Sequence, residues 1–307
     1  GALGAALVAG NGLIYAASQE RDGVVYALEP AHGRVRWHKQ VGYAAAAPLL
    51  LGDTLVLPLE QGALLALRAS GDEAGERLWL ARLPASPATS PVAWGELLVV
   101  AARNDSVYAL RRRDGGMAAR AAVGGFASAS PALAGDTLYL PLETGGILTL
   151  RLPRLERLFL AKLPGTGPTS ATPSASAGGE TTSGSAPPLS AGAGPAIPPG
   201  AAVLAAPVVA SDGSVYFLDA GARLGRIAPG TATASLLADL GGAARAALTL
   251  TRDGLLVGKL DGTLALVRFD GRTSWSTTLD GAIAAPAAVV DGVAYVPLLR
   301  GRIVKLR

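Results

Sequence analysis

The sequence predicts an all-β protein: a seven-bladed β-propeller of four-stranded antiparallel blades, with the last blade lacking its fourth strand. Three observations lead there. Residues 48–68 (PLLLGDTLVLPLEQGALLALR) return as residues 131–151 (PALAGDTLYLPLETGGILTLR), and 75–84 (GERLWLARLP) return as 155–164 (LERLFLAKLP). The offsets, 83 and 80 residues, are about twice 41, and self-similarity at a period in the forties marks an array of one supersecondary unit. Between turns the chain consists of short apolar, β-branched-rich runs bounded by Gly, Asp and Pro, with no helical period of useful length. A four-stranded antiparallel unit repeated in this way protects its sheet edges by radial repetition, which is the propeller arrangement.

Each unit reads as four strands. The first begins near a proline: Pro48, Pro91, Pro131, Pro207 and Pro286. The second follows a Gly/Asp turn, at 13–18, 54–60, 96–102, 137–143, 214–220, 255–260 and 293–299. The third usually starts after Gly, at 23–30, 62–69, 105–112, 145–152, 222–229, 262–269 and 301–307. The fourth often carries an aromatic residue: Trp37, Trp79, Phe159 and Trp275. A Trp buries roughly 150–250 Å², so these four are expected to wedge adjacent blades together. Trp94 sits off the repeat, between the first and second strands of unit three, and is expected as a core or rim residue. Asp-Gly at 22–23, 212–213, 253–254, 261–262 and 291–292 suits tight hairpins, which need positive φ. Pro58, Pro141 and Pro297 fall inside second strands. Proline cannot donate to a ladder, so a bulge or an early loss of pairing is expected there.

Taking Leu13, Leu55, Leu97, Leu138, Val215, Leu255 and Val293 as equivalent, the gaps are 42, 42, 41, 77, 40 and 38 residues. The one long gap holds a Ser/Thr/Gly/Ala/Pro tract with almost no large side chains. Such a segment cannot bury enough apolar surface to offset its ordering entropy. The expected organisation is a single propeller domain: blades 1–4 over residues 1–163, a disordered insert over 164–200, and blades 5–7 over 201–307. The seventh unit stops at Arg307 after its third strand, while Gly1 aligns with residues that follow a fourth strand (compare Gly42-Tyr43). A latch strand is therefore expected upstream of Gly1, or else an incomplete last blade.

Composition narrows the function. Half of the 307 residues are hydrophobic and 16% are charged, with a mean hydropathy of +0.36 carried by alanine and short Val/Leu runs. No uninterrupted apolar stretch reaches the length of a membrane-spanning helix. Cysteine is absent, which excludes disulfides and thiolate metal sites. A net charge of +4 over this length is a weak excess, and no basic stripe with interleaved aromatics points to nucleic acid. No signal segment is visible, so the chain reads as a trimmed or mature fragment, with any targeting signal or membrane tether expected upstream.

The repeat consensus resembles the PQQ-like repeat. It shows in residues 22–42 (DGVVYALEPAHGRVRWHKQVG), where Ala27-Leu28, Gly33 and Trp37 stand at the family's positions. Residues 104–116 (NDSVYALRRRDGG) and 261–275 (DGTLALVRFDGRTSW) repeat it. The resemblance spans nearly the whole chain apart from the Ser/Thr/Pro tract. The family includes quinoprotein dehydrogenases, BamB-type outer-membrane-protein assembly factors and other extracytoplasmic propellers. A WD40 propeller would need Gly-His and Trp-Asp signatures in each blade, and neither occurs. The enzymatic branch would imply a bound quinone (PQQ), a calcium ion held by carboxylate and amide oxygens, an aspartate base and, in its better-known alcohol-oxidising members, an adjacent-cysteine ring.

The residues give that chemistry little support. The first strands, which would line the central channel, are nearly devoid of acids, and no DxDxDG-like loop offers the clustered oxygens a hard cation needs. Patterns of the types GxSxG, HExxH and Walker A are missing. His32 and His38 flank one turn and read as solvated. Asn104-Asp105-Ser106 forms a sequon on a loop, read as chance. No catalytic, cofactor or metal residue is assigned.

Two surfaces remain. Loops joining second to third strands, with the loops between blades, share one face and carry Glu20, Arg21, Tyr43, Glu60, Gln61, Arg103, Asn104, Phe126, Glu143, Lys259 and Arg300. Aromatics and Arg among polar residues suit protein binding. The opposite face mixes Arg111-Arg112-Arg113, Arg68, Arg151, Arg154 and Arg268 with Asp72, Glu73, Glu76, Asp114 and Asp270, a solvated pattern. The expected function is a non-catalytic scaffold without cofactor that binds a protein partner through the first face. The resemblance implies a setting in the periplasm or cell envelope, in outer-membrane protein assembly. A quinoprotein oxidoreductase using PQQ and calcium is the first alternative. A ligand- or carbohydrate-binding sensor domain is the second, and an aromatic content of 5% weighs against it.

Overall fold

The computed structural model describes residues 7–18, 23–164, 202–245, 247–299 and 301–307. They form seven antiparallel sheets in which each strand pairs with its neighbour in sequence. Blade 1 comprises β1 (Val8–Gly10), β2 (Leu13–Ala17), β3 (Val24–Leu28) and β4 (Val35–Gln40). Blade 2 comprises β5 (Leu49–Leu51), β6 (Thr54–Leu59), β7 (Ala63–Arg68) and β8 (Arg77–Arg82). Blade 3 comprises β9 (Val92–Trp94), β10 (Leu97–Ala102), β11 (Ser106–Arg111) and β12 (Met117–Ala122). Blade 4 comprises β13 (Ala132–Ala134), β14 (Thr137–Pro141), β15 (Ile147–Arg151) and β16 (Glu156–Ala161). Blade 5 comprises β17 (Val208–Val209), β18 (Val215–Leu218), β19 (Arg223–Ile227) and β20 (Ala234–Asp239). Blade 6 comprises β21 (Leu248–Leu250), β22 (Leu255–Gly258), β23 (Thr263–Val267) and β24 (Thr273–Thr278). Blade 7 has three strands, β25 (Ala288–Val290), β26 (Val293–Leu298) and β27 (Arg302–Leu306).

The architecture is the seven-bladed propeller expected from the repeat, three-stranded last blade included. The proposed insert at 164–200 lies outside the described residues except for Pro164, as do Glu20, Arg21 and Arg300. Among the described residues there is no helix long and apolar enough to cross a membrane.

Local chemistry explains the hairpins. Asp291 (φ 49°) and Gly292 (φ 75°) are both left-handed in the two-residue turn between β25 and β26, as a type I′ hairpin requires. The first-to-second-strand ladder ends at the same register with a second-strand proline (Leu49↔Val56) and without one (Val92↔Val99, two residues before Ala101), so the expected early loss of pairing is not specific to the prolines. β5 pairs with β6 only from Leu49↔Val56 to Leu51↔Thr54, so it stops before Pro58. The Pro58 carbonyl accepts from Ala45 N–H at 2.9 Å, and the donor-less proline nitrogen lies on that side, where β5 no longer pairs. No register shift occurs at Pro58, Pro141 or Pro297. The bulges lie instead between third and fourth strands, at Ala27/Leu28, Ala66/Leu67, Ala109/Leu110, Thr149/Leu150, Leu224/Gly225 and Leu266/Val267. A bulge there increases the local twist of the outer strand.

The core is not central. Among the described residues, six clusters of buried residues lie between successive blades, from Tyr15, Val25, Leu55 and Leu67 between blades 1 and 2 to Leu256, Leu264, Val296 and Leu298 between blades 6 and 7. None of these clusters joins blade 7 to blade 1. Strand alternation accounts for this layout, since each interior strand sends odd and even side chains to opposite neighbouring blades. Val56, Leu64 and Ala66 face blade 3, whereas Leu55, Leu57 and Leu67 face blade 1.

Candidate partner-binding face

The loop face is built by one backbone device used repeatedly. In blades 2, 3, 4, 5 and 7 the entering segment makes an isolated antiparallel bridge with the end of that blade's second strand: Ala44↔Leu59, Pro87↔Ala102, Ala127↔Leu142, Val203↔Asp219 and Ile283↔Leu298. The next residue of the second-to-third-strand loop then donates its N–H to a carbonyl of the entering segment. The pairs are Glu60 to Tyr43 (2.9 Å), Arg103 to Ser86 (2.8 Å), Glu143 to Phe126 (2.9 Å), Ala220 to Ala202 (2.8 Å), Leu260 to Ala243 (2.9 Å) and Leu299 to Ala282 (2.9 Å). These contacts fix equivalent side chains of six blades around one face.

The side chains at those positions differ by arc. Blades 2–4 present Tyr43, Glu60, Ser86, Arg103, Phe126 and Glu143, whereas blades 5–7 present only alanine and leucine. Phe126 is 50% and Tyr43 46% exposed. Glu60 accepts from Ser86 Oγ at 3.0 Å and lies 3.8 Å from Arg103 Nη2. Between blades 3 and 4 the same arc encloses a cavity of about 380 Å³, lined by Ala88, Arg103, Phe126, Ala127, Ser128 and Glu143. Ser128 Oγ donates to the Val203 carbonyl and ties this rim to blade 5.

Other expected site residues are tied to the loops that carry them. Gln61 Nε2 donates to the Val41 carbonyl at 3.3 Å and lies against Gly42. Asn104 Nδ2 donates to the buried Tyr108 hydroxyl at 2.7 Å, and the Arg120 guanidinium carbon sits 5.6 Å from the Tyr108 ring centroid. Lys259 is folded down. Its ammonium lies 3.1 Å from Asp261 and donates to the Gly241 carbonyl at 3.2 Å, leaving its side chain 13% exposed. The Thr263 backbone N–H, followed by the Thr263 side chain, holds the Asp261 carboxyl below its ordinary pKa, and Lys259 adds to this. Asn104 and Lys259 thus shape the loops and present little to a partner, whereas Gln61 stays exposed.

Sequence reading missed Asp219. It occupies the bridge position held by Leu59, Ala102, Leu142 and Leu298 in other blades. Its carboxylate is buried and accepts from the N–H groups of Gly221 (3.0 Å) and Arg223 (2.9 Å). A charged residue where the repeat demands an apolar one was the available signal.

The aromatic wedges divide. Trp37 Nε1 donates to the Ala69 carbonyl at 3.0 Å and Trp79 Nε1 to the Arg112 carbonyl at 2.8 Å, each crossing to the next blade. Trp94, on the innermost strand β9, does the same to Gly135 at 2.8 Å. Phe159 packs with the core shared by blades 4 and 5. Trp275 is 41% exposed and lines an open cleft of about 510 Å³ with Leu256, Leu266, Val289 and Leu306.

No protein-family model matches the chain, and no curated protein matches its sequence. Solved structures do match. BamB from Moraxella catarrhalis aligns with a TM-score of 0.65 at 15% identity, over 98% of this chain and 95% of that one. The quinohemoprotein alcohol dehydrogenase ADHIIG from Pseudomonas putida HK5 aligns with a TM-score of 0.65 at 12% identity, over 98% of this chain and 64% of that one. The computationally designed Ika8 protein aligns with a TM-score of 0.59 at 11% identity, over 98% and 94%. The fold is thus that of the BamB-like and PQQ-like propellers.

Proposed function

We propose that this chain is a non-catalytic scaffold that docks a protein partner on the loop-face arc of blades 2–4, in the cell envelope and in the service of outer-membrane protein assembly. The observation that carries this reading is the split of the loop face. Six backbone-equivalent sites are built alike, yet rings and charges are confined to one arc. Partly exposed aromatics and an arginine, surrounded by polar groups and held by rigid backbone contacts, are the composition of binding hot spots. The likeness to BamB supports the same reading through the fold.

The donor chemistry of the hub also supports a reading without quinone. The innermost strands β5, β9, β13, β17, β21 and β25 carry no carboxylate, and among the described residues no three His, Asp or Glu side chains converge. A calcium-quinone pair needs several hard oxygen ligands, which these residues do not supply. The test uses the triple variant Y43A/R103A/F126A and the wild-type chain as baits in envelope extract. The scaffold reading expects a partner retained by the wild type and lost from the variant at unchanged thermal stability. Dye reduction by the wild-type chain with added PQQ and calcium would overturn it.

A further inference from the structure

This inference rests on the scaffold reading and goes beyond it by naming what one part of the arc binds. We propose that Phe126 and Glu143 form a receptor for a single arginine side chain presented by the protein partner.

The precedent lies on the same face. Tyr43/Glu60 and Phe126/Glu143 are the same aromatic–glutamate pair two blades apart, each closed by a backbone bond of 2.9 Å from the glutamate N–H to the aromatic residue's carbonyl. At the first pair, the following blade supplies Arg103 from the equivalent position, with its guanidinium 3.8 Å from Glu60, and Ser86 donates to the same carboxylate. At the second pair, the following blade offers Ala220 and Ala202 at those positions. The acceptor is repeated and its cation is replaced by a methyl group. The Glu143 carboxylate has no hydrogen-bond or ion-pair partner among the described residues, and residues 165–201, which precede blade 5, include no Lys or Arg.

The surroundings fit a guanidinium. Glu143 and the half-exposed Phe126 ring both line the 380 Å³ cavity. A carboxylate binds a guanidinium with two parallel hydrogen bonds, and an aromatic face attracts the same planar cation. The third charged wall, Arg103, is already compensated by Glu60. The row Glu60, Arg103, Glu143 therefore keeps one negative charge in excess, complementary to a cation.

The probe is the blocked tripeptide acetyl-Gly-Arg-Gly-amide, with Gln and Glu counterparts, titrated into the full chain and followed by backbone amide NMR shifts. The expected result is saturable shifts at residues 125–128 and at Glu143 with the Arg peptide, and binding at least about threefold weaker for the Gln peptide and in E143Q. A220R rebuilds the arrangement seen at Glu60 and is expected to weaken Arg-peptide binding by a similar factor. Equal response to the three peptides, or unchanged binding in both E143Q and A220R, overturns the assignment. If the partner still docks on the arc while those variants behave as wild type, the arginine assignment fails and the scaffold reading stands. If the Arg peptide binds as expected and no partner docks on the arc, the scaffold reading fails.

Discussion

The buried Asp219 carboxylate and the partly buried Arg223 guanidinium form an ion pair with two contacts: Arg223 Nη2 lies 2.7 Å and Nε 2.8 Å from Asp219 Oδ2. Arg223 Nη1 also donates to the Pro164 carbonyl at 3.4 Å, so the pair anchors the end of blade 4 to the loop of blade 5. Removing Asp219 takes away the acceptor of the Gly221 and Arg223 backbone N–H groups as well as that of the guanidinium. D219A is therefore expected to lower unfolding free energy by about 3 kcal/mol. D219L/R223A, which restores the apolar bridge residue of other blades, is expected to cost less than D219A. Denaturant midpoints of the three chains check both expectations.

The indoles of Trp79 and Trp275 stand at equivalent repeat positions in different surroundings. Trp79 is 8% exposed, and the ring is roofed by Gly115, where an added Cβ would come within 2.7 Å of it. W79A is expected to cost about 3 kcal/mol or more, as for other buried Trp truncations. W275A is expected to cost less than W79A, by about 1–2 kcal/mol, because less area is returned to water. G115A should destabilise as well, since its φ of +70° strains any side chain that must also press on the indole. Thermal midpoints would show the order.

Acid sensitivity follows from Asp261. Its carboxyl sits below the ordinary value of 3.8, chiefly through the Thr263 N–H. A depressed folded-state pKa stabilises fully above the unfolded value, and the contribution is lost as pH falls through the lower folded value. The wild type should thus show no loss from this group between neutrality and about pH 5, and a loss below about pH 4. D261N is expected to be less stable at neutral pH and to have a shallower acid limb. A pH series of melting curves on both chains decides this.

Blade 7 should open before the rest. It has three strands, and its outer strand β27 leaves Ile303 70% exposed, with Val290 56% exposed on β25. Blades 2 and 3 bury nearly every residue of β6, β7, β10 and β11. Opening free energy follows local burial. Hydrogen exchange is expected to be fastest in β25–β27 and slowest in β6, β7, β10 and β11, and uniform protection across blades would contradict this.

The fold was legible because its information is periodic. Pro48 and Pro131, Gly52 and Gly135, and Trp79 and Phe159 repeat the same local decision, and seven copies of one pattern average out the ambiguity of any single strand. The prolines did not mark where pairing ends, since β9 leaves β10 at the same register with Ala101 in the place of Pro58. The bulge position was not legible, because it depends on the twist between third and fourth strands. The site was legible as a face and not as side chains. Lys259 looked like a loop cation in sequence, and only its contact with Asp261 and the Gly241 carbonyl shows it folded down. The pairing of Glu60 with Arg103, residues more than forty positions apart, exists only once the blades are set side by side.

The central claim, that one arc of the loop face is the docking surface, is tested most directly by walking a photoreactive residue around its equivalent sites. Benzophenone side chains placed singly at Tyr43, Phe126, Ala202 and Ala282 sample both arcs on the same backbone frame. Crosslinks to one partner protein from positions 43 and 126, with none from 202 and 282, are the expected result. Equal crosslinking from all four, or crosslinking from 202 and 282 alone, would contradict the account.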